Sequence, residues 1–211
     1  MSNRWGTARI EGFSDGVLAI AITLLVLDIR MPESAFDDLW SGIAHQWPAY
    51  LAYATSFITV GGIWLAHHGI FQRLRHADDQ VIRLNLLLLM MVSFLPFPTR
   101  LVAEAIRDTD AERAAVIFYG GTLLVISLLL GAIWSTVARR RELLRPDVSE
   151  HEISVLLHVT TPNVGFYVIV ILLAIVAPKV AAFGYLLIAV AVVMRAHGDH
   201  KPSPATSAKS P

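Results

Sequence analysis

Asp15, Trp64, His67, His68 and Asn85 are the residues most able to do chemistry in a chain made mostly of apolar runs. A carboxylate at or inside a bilayer costs several kcal/mol unless it is paired or hydrated. Asp15 therefore requires partners. Arg9, six residues earlier, is one, and Trp64, His67, His68 and Asn85 supply others. His67 and His68 are adjacent, so on a helix they diverge by about 100° and are poorly placed to share one metal ion. A hydrogen-bonded cluster between helices is the favoured role, and an imidazole in it can titrate near neutral pH. The simplest function of such a cluster is to orient helices. A membrane enzyme using Asp15, His67, His68 or Asn85 is the rival reading. It lacks paired catalytic carboxylates, Gly-x-Ser-x-Gly, His-Glu-x-x-His and a nucleotide loop. The absence of cysteine excludes disulfides, thiolate metal sites and cysteine catalysis.

The elements that must position these groups are membrane helices. Of 211 residues, 55% are hydrophobic and 16% charged, against about 25% charged in a soluble domain. The mean hydropathy is +0.58. A helix needs about 20 apolar residues to cross a bilayer, and six segments approach that length. They predict spans at about 8–30, 48–71, 82–99, 114–138, 153–177 and 180–195. Only Pro178 and Lys179 part the last two, which reads as a tight helical hairpin. Residues 1–196 form one all-α membrane unit. Residues 197–211, rich in Pro, Ser, Ala and Lys, read as a disordered cytoplasmic tail. Asp15 and Asp28 bracket the first run and no small-x-small site follows, so it reads as a retained span rather than a cleaved leader. With the N-terminus in the cytoplasm, twelve of the 17 Lys and Arg fall on the cytoplasmic side. That is the bias the positive-inside rule expects, and it places both termini in the cytoplasm. Arg139, Arg140 and Arg141 are a topology determinant, with anionic-lipid binding as a secondary role. Gly61-Gly62, Gly120-Gly121 and Gly131 predict close helix packing, and Pro96 and Pro98 predict a kink or end of the third span.

The first span has two faces. At about 100° per residue, Thr23, Leu24 and Leu27 lie within about 60° of Ile20, Gly16 extends that stripe toward the cytoplasm, and Asp15 points about 140° away. One side is aliphatic with a single hydroxyl; the other carries the carboxylate.

Arg9-x-x-x-Phe13-Ser14-Asp15, followed by Gly16-Val17-x-Ala19-Ile20-Ala21-Ile22-Thr23-Leu24-Leu25-Val26-Leu27-Asp28, resembles the signature of the transmembrane-protein-175 family of potassium channels. Trp64-x-x-His67-His68 and the stretch from Asn85 to Thr99 are similar to it as well, and the likeness extends over roughly residues 5–196. The chain carries one set of spans and one signature, so it resembles the prokaryotic, single-repeat type. The resemblance implies a homotetramer around a central pore in a prokaryotic plasma membrane, permeable to K⁺ and to other monovalent cations. It implies no cofactor, no nucleic-acid partner and no enzyme activity. It assigns the pore lining to the first helix, with Ile20, Leu24 and Leu27 as hydrophobic constrictions and Thr23 as the hydroxyl layer tied to selectivity. Arg9, Phe13, Ser14, Asp15, Trp64, His67, His68 and Asn85 then hold the helix in place.

No Thr-Val-Gly-Tyr-Gly filter is present, so carbonyl-ring selectivity is not available. A ring of Ile20 side chains would instead gate by excluding water. Asp28, with Glu33, Asp37 and Asp38 in the following loop, can raise cation concentration at the outer mouth through its long-range field. A proton-permeable channel and a secondary transporter are the alternatives. The transporter predicts an inverted repeat and broken midplane helices, and the third and fourth spans are no clear copy of the first.

Overall fold

The computed structural model describes residues 6–106 and 109–198, with backbone alone at 34–35, 109–110, 150–151, 153–163 and 195–198. Among the described residues the chain is helical throughout: α1 (Thr7–Leu24), α2 (Leu39–His45), α3 (Trp47–Arg73), α4 (Asp79–Phe94), α5 (Pro96–Ala105), α6 (Thr109–Arg139), α7 (Glu150–Val176) and α8 (Pro178–Gly198). Caps mark several starts. The side chains of Asp38, Asp78 and Ser149 accept from the backbone N–H three residues on, satisfying donors that a first helical turn leaves free. Proline sits in the first turn of α3 and α5, where its missing N–H removes no intrahelical bond.

Among the described residues, four stretches are long and apolar enough to cross a bilayer: Thr7–Asp28, Trp47–Arg73, Asp79–Ala105 and Ala111–Arg139. The fifth and sixth predicted segments fall in α7 and α8, whose described apolar parts, Val164–Val176 and Pro178–Met194, are shorter. The two helices pack against each other and join through Ala177 alone, in the expected hairpin. The predicted end of the third span near residue 99 is corrected. Pro96 and Pro98 break α4 from α5, but Leu95 keeps right-handed helical dihedrals and the helix resumes to Ala105. Arg100 and Glu104, expected in a loop, form an ion pair one turn apart on α5. The predicted tail, residues 197–211, lies outside the described residues beyond Gly198.

The core runs through the bundle between α3, α4, α6, α7 and α8, around the fully buried Trp134, Tyr185, Phe71, Leu88, Leu123 and Ile126. At the α3–α4 end, two loops are clasped. Leu74 and Leu144 form an antiparallel bridge; Arg75 N–H donates to Leu143 O at 2.8 Å and Arg145 N–H to Arg73 O at 3.0 Å. Arg140 ties the clasp to the α4 cap by pairing with Asp78 and donating to Gln80. α1 lies chiefly against α3 and α4, at the edge of this bundle.

The glycines divide. A Cβ at Gly120 would collide with the Tyr185 ring and Ile171, and one at Gly62 would press on Val192 at 3.1 Å. Among the described residues, a Cβ at Gly61, Gly121 or Gly131 would meet nothing within 4 Å, so of the five glycines the close packing falls on Gly62 and Gly120. Gly120→Val should lose about 1–3 kcal/mol to overpacking, seen as a lower unfolding temperature in detergent. Gly121→Ala should leave that temperature unchanged or higher.

Candidate functional site

Two sets of α1 residues point in opposite directions. Ser14, Leu18, Ala21 and Leu25, spaced by four, three and four, are the buried positions, at most 2% exposed. The opposite side carries Gly12, Gly16, Ile20, Thr23, Leu24 and Leu27, all exposed, with Ile20 at 61% and Leu27 at 64%. Thr23 Oγ1 donates to Ile20 O at 2.9 Å, which leaves its lone pairs facing outward. After Leu24 the helix tightens to a 3₁₀ turn, Leu25–Asp28. Residues three apart eclipse in that geometry, so Leu27 stacks above Leu24 and the apolar stripe stays straight to its end. Asp28, partly buried, has Arg100, Arg30 and Glu104 acting on it electrostatically; one of its oxygens finds no hydrogen-bond donor among the described residues. Glu33, Asp37 and Asp38 are exposed beyond it.

The inward side of α1 is held by two polar connections. In the first, Asn85 of α4 donates through Nδ2 to Ser14 Oγ at 2.9 Å and accepts at Oδ1 from His67 Nε2 at 2.9 Å. Ser14 passes its own proton to Ile10 O at 2.8 Å. All three side chains are buried. Because the Asn85 amide N–H is spent on Ser14, its oxygen must face His67, and this assigns the proton of neutral His67 to Nε2. Nδ1 of His67 is then a bare acceptor, buried and unpartnered among the described residues, with the ring stacked on Phe71 at 4.2 Å.

The second connection is a pair of rungs between antiparallel helices. Asp15 Oδ1 accepts from Trp64 Nε1 at 2.9 Å, and one turn below, Glu11 meets His68 Nδ1 at 2.8 Å. Glu11 and Asp15 are four apart on α1, as Trp64 and His68 are on α3, so the rungs fall in register. The Trp64 and His68 rings stack at 5.5 Å, and Gln72 donates to His68 Nε2 at 2.7 Å. His67 and His68 thus face different partners, and no group of three or more His, Asp or Glu among the described residues is placed to hold a metal ion.

Of the predicted cluster, the structure brings together Ser14, Asp15, Trp64, His67, His68 and Asn85. It does not include Arg9 or Phe13. Both are exposed on the Ile20 side, and Arg9 has no hydrogen bond or ion pair among the described residues; the Arg9–Asp15 pairing is corrected to Trp64–Asp15. Glu11 and Gln72 belong to the cluster and were not singled out. Their signal was the four-residue spacing from Asp15 and His68.

An all-helical fold with several membrane-length helices and a polar cluster that docks one edge helix defines a polytopic α-helical membrane protein. The sequence profile of the family described as "Endosomal/lysosomal potassium channel TMEM175" matches residues 9–96, the part that contains α1, α3 and α4. A potassium channel of Streptomyces collinus is 40% identical over 143 residues, 67% of this chain and 69% of that protein. A potassium channel of Chamaesiphon minutus is 39% identical over 165 residues, 77% and 81% of the two chains. The crystal structure of a lysosomal potassium-selective channel TMEM175 homolog from Chamaesiphon minutus superposes with a TM-score of 0.82, at 35% identity, over 90% of this chain and 97% of that one. The chain belongs to the TMEM175 family. These relatives are channels, not enzymes.

Asn85→Ala should cost about 1–2 kcal/mol, because it strands Ser14 and His67 in the bundle. Trp64→Phe should cost less, since Asp15 is only partly buried and can recruit water. Thermal unfolding of purified variants measures both. In a double-mutant cycle, Ser14→Ala with Asn85→Ala should cost less than the sum of the single changes.

Proposed function

We propose that the chain is a potassium-permeable cation channel in which the exposed face of α1 lines the ion path. The observation that carries this reading is the orientation of α1: its polar anchors point into its own subunit, while Ile20, Thr23, Leu24 and Leu27 point out of it. A single helix is too narrow to enclose a path, so several copies must bring this face together. Four copies in cyclic symmetry are the arrangement proposed, with both termini cytoplasmic, in a prokaryotic plasma membrane. The unit spans the membrane six times, α7 and α8 supplying the fifth and sixth crossings as a hairpin. Gly12 and Gly16 are four apart, and a Cβ added at either would meet nothing within 4 Å. They give the cytoplasmic half of the face a surface that neighbouring copies can approach closely. Arg9 and Phe13 lie on that same side and are available to a neighbouring copy.

Within such a pore Ile20 is the gate. A ring of isoleucines offers no oxygen to replace an ion's hydration shell, so a narrow ring dewets and blocks without a physical plug. Leu24 and Leu27, stacked by the 3₁₀ turn, extend the same barrier outward. Thr23 lies between these layers. It is the one residue there with lone pairs to offer a partly dehydrated cation, and it supplies the preference for K⁺ over Na⁺. Asp28 and the acidic loop concentrate cations at the outer mouth.

Planar-bilayer recording under bi-ionic K⁺/Na⁺ conditions tests the reading. Ile20→Asn should raise open probability and conductance severalfold by wetting the constriction; unchanged currents would remove Ile20 as the gate. Thr23→Ala should reduce the K⁺/Na⁺ permeability ratio with current retained. A ratio equal to the parent's would move selectivity elsewhere.

A further inference from the structure

Between the end of the first span and the start of α3, the chain makes a short 3₁₀ turn, Glu33–Phe36, and then α2. On α2, Leu39, Trp40 and Ile43 share one side, and Phe36 and Trp47 flank them. All five are exposed, Trp40 at 83%. The other side carries Ser41 and His45, which bond to each other, and Asp38 caps the helix. Apart from the neighbouring 3₁₀ turn, α2 packs chiefly against α3, so its apolar side is not used to build the subunit.

Three observations say what covers it. The segment joins two membrane-spanning helices through 18 intervening residues, 29–46, so it is held near the bilayer surface. Its most exposed side chain is a tryptophan and a second flanks it, and indole rings prefer the headgroup level, where one end is apolar and the other wet. The charge is of one sign: between Arg30 and Arg73 there is no Lys or Arg, while Glu33, Asp37 and Asp38 are present. A basic amphipathic helix would seek anionic lipid. This acidic one fits a zwitterionic surface, and its attachment must come from apolar burial.

We propose that α2 is an in-plane anchor, its Leu39–Trp40–Ile43 side seated at the headgroup–acyl boundary of the outer leaflet and its Ser41–His45 side in water. Ten residues, 29–38, with the Glu33–Phe36 turn among them, join Asp28 to the anchor, so it limits how far the Leu25–Asp28 turn can move relative to the membrane surface. That consequence for conduction rests on α1 lining the pore; the anchor itself does not.

The natural absence of cysteine allows a clean test. Nitroxide labels are placed on Leu39→Cys, Ile43→Cys, Ser41→Cys and His45→Cys, one at a time, in the full chain in phosphatidylcholine vesicles, with Trp40 left in place. Collision accessibility to oxygen and to a water-soluble nickel chelate is then read by electron paramagnetic resonance. Labels at Leu39→Cys and Ile43→Cys should favour oxygen severalfold over the chelate, at a depth of about 5–10 Å. Labels at Ser41→Cys and His45→Cys should favour the chelate. The pattern should persist when anionic lipid is mixed in, and adding Trp40→Ser should shift the Ile43→Cys label toward water. Chelate access on both sides would overturn the anchor. So would exclusion of both reagents from Leu39→Cys and Ile43→Cys, which would place another protein surface there, and so would a depth that appears only with anionic lipid. All these readouts are independent of ion conduction.

Discussion

The Asn85 side chain carries two hydrogen bonds that an apolar bundle offers no other way to satisfy, one to Ser14 on α1 and one to His67 on α3. In water either bond would be exchanged cheaply. Inside a bilayer each unpaired polar group carries its full desolvation cost. The amide therefore does more than join three helices. It decides which way α1 is turned. With Ser14 directed inward, a helix places Thr23, nine residues on, about 180° away, and Ile20 and Leu27 within about 60° of that direction. The outward face follows from the inward anchor.

The remaining contacts make that rotation hard to change. The Asp15–Trp64 and Glu11–His68 rungs hold α1 in register along α3 as well as in rotation. Behind them, the clasp between the α3–α4 and α6–α7 connections and the tightly packed α6, α7 and α8 form a body against which α1 is mounted at the edge. A helix fixed by polar bonds at one end and free of its own subunit along one side is well placed to respond to what lies on that side. Its C-terminal end changes to a 3₁₀ turn, and the chain then runs on to α2.

Much of this was legible in the residues, because membrane helices leave simple signatures. Apolar length marked the segments that fold into the long helices. An intramembrane carboxylate demanded a partner, and Trp64 supplied it, while His67, His68 and Asn85 joined the cluster through Ser14 and Glu11. Periodicity failed where several outcomes had the same pattern. Glu11 looked like an ordinary acidic residue at a helix start, although its spacing from Asp15 matched that of Trp64 from His68. Arg9 was one candidate partner of Asp15, but six residues set the two about 120° apart on α1, so Trp64 across the helix interface takes the bond instead. Pro96 and Pro98 read as a kink or an end, and the structure takes the kink, because a proline at the start of a new helical segment breaks the bonding pattern without ending the path. α2 was missed because seven residues are too few to carry a period.

Whether the outward face of α1 meets ions or lipid is decided most directly by accessibility from the aqueous path. Cysteines are introduced singly at every position of 16–28 and challenged with Ag⁺, an ion small enough to follow K⁺, during bilayer recording; the parent has no thiol to react. Rapid block should occur at Ile20, Thr23, Leu24 and Leu27 and be absent at Leu18, Ala21 and Leu25, which face the bundle. Block with no such periodicity, or block confined to Leu18, Ala21 and Leu25, would place the ion path elsewhere.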